Sequence, residues 1–193
     1  MKKKSFAIIG NPISHSLSPF LHKYWFDKYN IEASYTLLNI EERDIENVIK
    51  RIRNKELDGI NVTLPYKQKV IPFIDKLIND AKFTNSVNTI FLDETNTLIG
   101  ENTDVFGLQA AYLKEITSVE NKKALVIGAG GVSPSVIFSL QKSKIKNISI
   151  VNRTHEKSIF LKKKFNFLNI LEWELLEKEI CKFDIIINAT SLG

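Results

Sequence analysis

One segment decides the fold: Lys123-Ala-Leu-Val-Ile-Gly-Ala-Gly-Gly-Val-Ser133. Its apolar run from Ala124 to Ile127 predicts a strand buried on both faces, and the glycines after it predict a tight turn into a helix. Gly128 suits the turn, and Gly130 lets the backbone approach a pyrophosphate, as in a dinucleotide-binding βαβ unit. The third glycine position of that fingerprint holds Ser133, so a purely structural turn between strand and helix is the alternative at this point.

A second strand and a basic residue follow at the spacing of a dinucleotide site. Residues Asn147 to Val151 predict a buried strand, and Asn152-Arg153-Thr154 comes directly after it. In an NAD site, an acidic residue about 20 positions after the glycines accepts hydrogen bonds from the ribose 2′-hydroxyl. Arg153 stands at that place, and its guanidinium suits a phosphate dianion but cannot accept a hydrogen bond. The turn and Arg153 together predict NADP as the cofactor, with an exposed arginine at a strand end as the alternative.

The composition is that of a globular protein with a packed core. The chain has 193 residues, 44% of them apolar, which is ample for burial. Its single cysteine, Cys181, excludes a disulfide framework and a cysteine-rich metal site, and is typical of a reducing compartment. The apolar run near the N-terminus, Phe6 to Ile9, is too short for a signal peptide or a membrane span. We therefore expect a cytoplasmic protein with no metal ion and no membrane association.

The net charge of +5 does not indicate nucleic-acid binding. The lysines are scattered, and their densest run, 162–164, lies in a predicted helix beside Leu161 and Phe165. A basic patch with interleaved aromatic residues is the usual sign of a nucleic-acid surface, and the sequence does not contain one. A modest positive charge suits small anionic ligands instead.

The first half of the chain alternates predicted strands and helices. The strands are 6–9, 35–40 and 59–64, and the helices are 19–29, 42–54 and one from Lys67 to about Asp75. This order predicts a small, mainly parallel sheet covered by helices. Residues 88–92 and 97–100 flank a polar turn and predict a hairpin.

The chain divides into two predicted α/β domains. We expect domain boundaries at 1–103 and 121–193, with a connecting helix over 104–120. The second domain contains about four predicted strands, whereas a doubly wound dinucleotide domain usually has six. We therefore expect an incomplete Rossmann domain and a chain truncated at its C-terminus.

Polar residues follow the predicted strands at the edge where open α/β sheets bind ligands. They are Ser14, Ser16, Ser18, Thr63, Lys67, Asn88, Asn102 and Asp104. Each has a structural alternative. Ser18 and Asp104 suit helix N-caps, and Lys67 suits an exposed first turn.

Seven short strings carry a family resemblance, and they occur in the family's order over essentially the whole chain. They are Gly10-Asn-Pro-Ile-Ser-His-Ser-Leu-Ser-Pro19, Asn61-Val-Thr-Leu-Pro-Tyr-Lys67, Val87-Asn-Thr89, Asn102-Thr-Asp-Val-Phe-Gly107, Gly128-Ala-Gly-Gly131, Asn152-Arg-Thr154 and Asn188-Ala-Thr-Ser-Leu-Gly193. Together they resemble the shikimate dehydrogenase family. The resemblance implies NADPH-dependent reduction of 3-dehydroshikimate to shikimate, a step toward the aromatic amino acids. It also implies an N-terminal α/β substrate-binding domain followed by a Rossmann dinucleotide-binding domain.

The resemblance assigns the substrate contacts. Ser16 and Ser18 match the serines that hold the substrate carboxylate, with Thr63 nearby, and hydroxyls make charge-assisted hydrogen bonds to a carboxylate. Asn88 matches a residue that hydrogen-bonds the ring hydroxyls.

The resemblance also assigns the catalytic pair and the cofactor site. Lys67 matches the group that stabilises the developing alkoxide and donates the proton. Asp104 matches the carboxylate that orients this lysine and keeps it charged. The implied cofactor-binding residues are Gly128, Ala129, Gly130, Gly131, Asn152, Arg153 and Thr154.

Several interpretations of the function remain open. The quinate/shikimate dehydrogenase branch shares most motifs of the first domain, and Arg153 favours the NADP-specific branch. A methylene-tetrahydrofolate dehydrogenase shares the two-domain plan, but the serine-rich loop and the string at 102–104 fit it less well. An inactive fragment, or a non-catalytic binding protein that keeps the fold, is the remaining class. The resemblance implies a C-terminal segment, with a glutamine for the substrate, that this sequence lacks. Either a monomer or a homodimer is compatible with the sequence.

Overall fold

The computed structural model describes residues 3–115 and 119–192, and the chain divides between Asn102 and Thr103 into two compact units. Each unit is an α/β structure with its own hydrophobic core, as the sequence predicted. Gly193 and part of the predicted connecting helix over 104–120, residues 116–118, lie outside the described residues.

The first unit is built around a six-stranded sheet. Its elements are β1 (Lys4–Gly10), α1 (Ser18–Lys28), β2 (Ala33–Asn39), α2 (Ile45–Arg53), β3 (Gly59–Val62), β4 (Lys76–Leu77), α3 (Ala81–Thr84), β5 (Thr89–Leu92) and β6 (Leu98–Glu101). The strand order is β2-β1-β3-β5-β6-β4. Strand β1 is parallel to β2 and β3, β4 is parallel to β6, and only β5 runs antiparallel to its neighbours. The predicted hairpin is β5–β6, and the sheet is mainly parallel, as expected.

Helix α2 covers this sheet with the face that the sequence predicts. Ile45, Val48, Ile49 and Ile52 recur at helical spacing, and all four are buried in the core of the first unit. Buried aliphatic side chains on one stripe are what hold an amphipathic helix to a sheet.

The predicted helix from Lys67 to Asp75 is wrong. The segment instead forms turns and a short 3₁₀ helix, Ile71–Phe73. Pro72 has no N–H with which to continue a helix. The N–H of Asp75 donates a hydrogen bond to Leu98 O (3.1 Å), so the chain joins the edge of the sheet and leads into β4.

The predicted N-cap role of Ser18 is also wrong. Leu17 is the N-cap residue of α1, and Ser18 and Pro19 are the first two helical residues. The N–H of Ser18 is accepted by the hydroxyl of Ser16 (3.3 Å).

The second unit contains a four-stranded parallel sheet. Its elements are α4 (Asp104–Ala111), β7 (Lys123–Ile127), α5 (Ser133–Lys142), β8 (Asn147–Val151), α6 (His155–Lys164), β9 (Asn169–Ile170), α7 (Leu176–Glu179) and β10 (Ile185–Asn188), and the strand order is β10-β7-β8-β9. Successive residues of β7 point to opposite faces, and Ala124, Leu125 and Val126 are all fully buried. The prediction of a strand buried on both faces is confirmed.

Within the described residues, every helix falls short of the length and apolarity required to cross a bilayer.

Candidate active site

The glycine turn after β7 is held in a conformation that only glycine adopts readily. Gly128 has φ +107°, and a Cβ added there would lie 2.9 Å from Thr190 Cγ2 and 3.0 Å from the carbonyl carbon of Ala189. A Cβ added at Gly130 would meet only Ala189 O, at 3.9 Å. Gly128 therefore makes the turn possible, whereas Gly130 leaves open space beside it.

Ser133 occupies the third glycine position of the fingerprint and fastens the turn. Its hydroxyl is fully buried, donates to Gly128 O (2.9 Å) and accepts the N–H of Gly130 (3.0 Å). A buried hydroxyl that both donates and accepts stabilises the backbone that it bridges. The departure from the glycine fingerprint is thus compensated by a side chain.

Asn152 links the glycine turn to the loop after β8. Its Oδ1 accepts the N–H of Ala129 (3.0 Å), and its Nδ2 donates to Thr154 O (2.8 Å). The carboxyl ends of β7 and β8 are neighbours, since Ile127 pairs with Val151. Both the oxygen and the nitrogen of the Asn152 carboxamide are therefore hydrogen-bonded within the protein, which fits a residue that shapes the site.

Arg153 lies beside this turn and is exposed. In the described part of the chain its guanidinium makes no ion pair or hydrogen bond. Lys157, one turn into α6, is exposed as well. The open space at Gly130 and this unpaired guanidinium fit a dinucleotide that carries a 2′-phosphate.

Backbone hydrogen bonds join the segments that carry the predicted substrate residues of the first unit. The loops after β1 and β3 are joined by the N–H of Asn11, which donates to Leu64 O (3.1 Å). The N–H of Val87 donates to Lys67 O (2.8 Å), and this places Lys67 next to the start of β5. A Cβ at Gly10 would lie 2.6 Å from Thr63 Cγ2, so Gly10 lets these two loops approach each other.

The two serines form a pair of hydroxyls at the start of α1. Ser16 Oγ donates to Ser18 Oγ (3.1 Å), and both side chains are partly buried. Ser14 is exposed, and its hydroxyl contacts the ring of the adjacent His15 instead. The geometry therefore groups Ser16 with Ser18 and separates Ser14 from them.

Asn88 is nearly buried, with 9% of its surface exposed, and is held from several sides. Its backbone oxygen accepts the N–H of Val62 (2.9 Å), and its Oδ1 accepts the hydroxyl of Thr89 (3.0 Å).

Asn102 has a structural role, because its Nδ2 donates to Ser86 O (2.8 Å) and Thr84 Oγ1 (3.3 Å).

Lys67 and Asp104 belong to different units. Lys67 lies in the turn after β3, in the first unit. Asp104 is the first helical residue of α4 in the second unit, and the N-cap position is held by Thr103.

Sequence reasoning missed two polar residues near this site, Tyr35 and Asn61. The Tyr35 hydroxyl donates to Asn61 Oδ1 (2.6 Å), and Asn61 Nδ2 donates to Asn88 O (3.2 Å) and Thr89 Oγ1 (3.2 Å). The available signal was the polar Asn61 inside an otherwise apolar buried strand.

Comparison with protein-family models decides the identity of the fold. Residues 8–90 match the shikimate dehydrogenase substrate binding domain, and residues 111–192 match shikimate / quinate 5-dehydrogenase. The chain belongs to the shikimate dehydrogenase family.

Curated members of the family align with nearly all of the chain. The NADP(+) shikimate dehydrogenase of Pelagibacter ubique is 47% identical over 191 residues, which are 99% of this chain and 70% of that protein. The NADP(+) shikimate dehydrogenase of Pyrococcus furiosus is 38% identical over 190 residues, which are 98% of this chain and 68% of that protein. The chain thus spans about 70% of the length of the relatives that it matches.

Solved structures of shikimate dehydrogenases share the fold. The enzyme from Aquifex aeolicus has a TM-score of 0.91 at 33% identity, and the match covers 100% of this chain and 70% of that one. A shikimate dehydrogenase in complex with NADP+ has a TM-score of 0.89 at 32% identity, and the match covers 100% of this chain and 68% of that one. The predicted fold class and family are therefore confirmed.

Proposed function

We propose that this protein catalyses the reversible, NADPH-dependent reduction of 3-dehydroshikimate to shikimate in aromatic amino acid biosynthesis. The observation that carries the proposal is that the loops after β1 and β3 are hydrogen-bonded to each other and to the segment before β5. These three segments carry Ser16, Ser18, Thr63, Lys67 and Asn88. Family membership of both units supports the same reaction.

The first unit supplies the substrate contacts in this proposal. The paired hydroxyls of Ser16 and Ser18 can both rotate to donate to a carboxylate, with Thr63 on the adjoining loop. Asn88 meets the ring hydroxyls with a carboxamide whose Oδ1 already accepts the Thr89 hydroxyl. In this proposal these groups together orient a small polyhydroxylated ring.

Lys67 and Asp104 are the proposed catalytic pair. A lysine ammonium stabilises negative charge that develops on the carbonyl oxygen, and it can deliver the proton to that oxygen. Asp104 orients the ammonium and favours its charged form. NADPH supplies the hydride when it is bound.

The second unit holds the cofactor in this proposal. The turn of Gly128, Ala129, Gly130 and Gly131 receives the pyrophosphate, and Arg153 and Thr154 receive the 2′-phosphate. Asn152 contributes by holding the turn and the loop together. We assign residues 1–103 to substrate binding and catalysis, 104–120 to the connection and 121–193 to NADP binding.

We infer that the partner is a small-molecule substrate rather than nucleic acid or membrane, and that the protein works in the cytoplasm as a monomer or homodimer. The free, exposed Cys181 suits a reducing compartment.

Oxidation of NADPH after addition of 3-dehydroshikimate tests the proposal. We expect NADPH to be preferred to NADH, and shikimate to quinate in the reverse direction. Binding of shikimate and NADPH is measured by calorimetry alongside the rates. If the chain binds neither ligand and shows no turnover, the proposal is wrong, and a preference for quinate would instead support the quinate/shikimate branch.

A further inference from the structure

A continuous chain of hydrogen bonds in the first unit ends at Asn88, one of the proposed substrate residues. The Tyr35 hydroxyl donates to Asn61 Oδ1 (2.6 Å). Asn61 Nδ2 donates to Thr89 Oγ1 (3.2 Å), and that hydroxyl donates to Asn88 Oδ1 (3.0 Å). Tyr35 is thus connected to the carboxamide that meets the ring hydroxyls in the proposed function.

Burial raises the pKa of the Tyr35 phenol to about 12. The phenol therefore keeps its proton at neutral pH and remains a donor to Asn61.

The plane of the Tyr35 ring is set by a stacked histidine. The His22 and Tyr35 rings have centroids 4.1 Å apart and planes only 9° from parallel. His22 belongs to α1 and also meets Phe26 at a centroid distance of 5.9 Å. Burial lowers the pKa of His22, which favours the neutral form of the stacked imidazole. The stack leaves the phenol little freedom to turn away from Asn61.

We propose that Tyr35, held by His22, is a positioning residue for the substrate, because a chain of hydrogen bonds links its hydroxyl to the carboxamide of Asn88. This inference rests on the proposed function and adds a residue to it. The route to Asn88 passes through Asn61 and Thr89. With Oδ1 of Asn88 engaged by Thr89, the orientation of its carboxamide is set before substrate binds. Preorganised polar groups bind more tightly because less freedom is lost on binding.

The variant Tyr35→Phe removes the hydroxyl and keeps the ring that stacks on His22. It leaves Asn61 Oδ1 without the donor at 2.6 Å. Because an unsatisfied partner weakens the rest of such a network, we expect the Kd for shikimate to rise about tenfold. The Kd for NADPH should stay within twofold, because the proposed cofactor residues belong to the second unit.

The matched control is Tyr24→Phe, on α1. Tyr24 is 52% exposed and packs against Trp25 through its ring, which phenylalanine retains. Shikimate binding is measured by calorimetry for the unaltered chain, for the single variants Tyr24→Phe, Tyr35→Phe and Thr89→Val, and for the Thr89→Val and Tyr35→Phe double variant, with thermal unfolding as the check on folding. We expect the Tyr24 variant to bind like the unaltered chain. Relative to Thr89→Val alone, the double variant should show a rise in the Kd for shikimate of clearly less than tenfold, because Thr89→Val has already broken the chain of hydrogen bonds.

Each outcome decides a separate point. A Tyr35→Phe variant that binds shikimate within twofold of the unaltered chain overturns the inference while the proposed function stands. Fully additive losses in the double variant would show that Tyr35 does not act through Thr89, which also overturns it. An unaltered chain that binds no shikimate removes the proposed function and this inference with it.

Discussion

Replacement of Gly128 by alanine tests the conformation on which the cofactor turn depends. At φ +107° an L-residue is strained, and such backbone strain costs about 1–3 kcal/mol. The new Cβ would also lie 2.9 Å from Thr190 Cγ2 and 3.0 Å from the backbone carbon of Ala189. Overpacking of this kind typically adds about 1–3 kcal/mol. We therefore expect Gly128→Ala to lower the free energy of unfolding of the second unit by roughly 2–6 kcal/mol, the sum of these two costs.

Urea unfolding followed by tryptophan fluorescence measures this loss. The chain has two tryptophans, Trp25 in the first unit and Trp173 in the second, so Trp25→Phe and Trp173→Phe backgrounds report on the units separately. Gly130→Ala is the matched control, because its Cβ would meet only Ala189 O at 3.9 Å. We expect that control to unfold normally but to bind NADPH more weakly, since the Cβ fills the space that the pyrophosphate approaches.

Two results would refute this reasoning. A Gly128→Ala chain whose second unit is as stable as the unaltered one would mean that the turn relaxes without cost. Full NADPH affinity in Gly130→Ala would mean that the pyrophosphate does not approach the turn there.

Three further predictions concern other parts of the molecule. Arg153→Ala should weaken NADP+ binding about 10- to 100-fold, the worth of a charge-assisted hydrogen bond, and leave NAD+ binding within twofold in the same titration; equal losses for both cofactors would contradict the 2′-phosphate role. Gly107→Ala should raise the free energy of urea unfolding by about 0.5–1 kcal/mol, because the position is inside α4 and an added Cβ meets nothing within 4 Å. A variant less stable than the unaltered chain would contradict this prediction. Hydrogen bonds from Arg53 and from the N–H of Leu98 lower the pKa of Asp75 to about 2. The stabilisation by Asp75 is therefore present above the pKa of the unfolded carboxyl and lost as the pH falls toward 2. Because Asp75 and Arg53 are each 41% exposed, this stabilisation should amount to less than about 1 kcal/mol. The free energy of urea unfolding of Asp75→Asn should therefore be lower than that of the unaltered chain at pH 7 and equal to it near pH 2.

Regular hydrophobic patterns made much of the fold predictable. The isoleucines and valine of α2 repeat at helical spacing, and the run before Gly128 is apolar at every position, so both elements follow from the sequence. The segment after Lys67 did not follow, because its outcome depends on a hydrogen bond to Leu98, which lies far away in the sequence. Local propensity carries no information about such a partner.

The site was predictable as a set of residues but not as a set of contacts. Gly128 and Arg153 stand at spacings that physical reasoning interprets directly. The roles of Ser133 and Asn152 depend on which backbone groups the fold brings beside them. Tyr35 could not be found at all, since its stack on His22 joins a helix and a strand whose packing no local pattern specifies.

The most direct test of the proposed reaction is the effect of Lys67→Ala on turnover and on cofactor binding. If Lys67 stabilises the developing alkoxide and donates the proton, kcat for 3-dehydroshikimate should fall by about 100-fold or more. The Kd for NADPH, measured on the same preparation, should stay within twofold, because the proposed cofactor residues lie in the second unit. Near-normal turnover in this variant would contradict the assignment of Lys67 and the mechanism built on it.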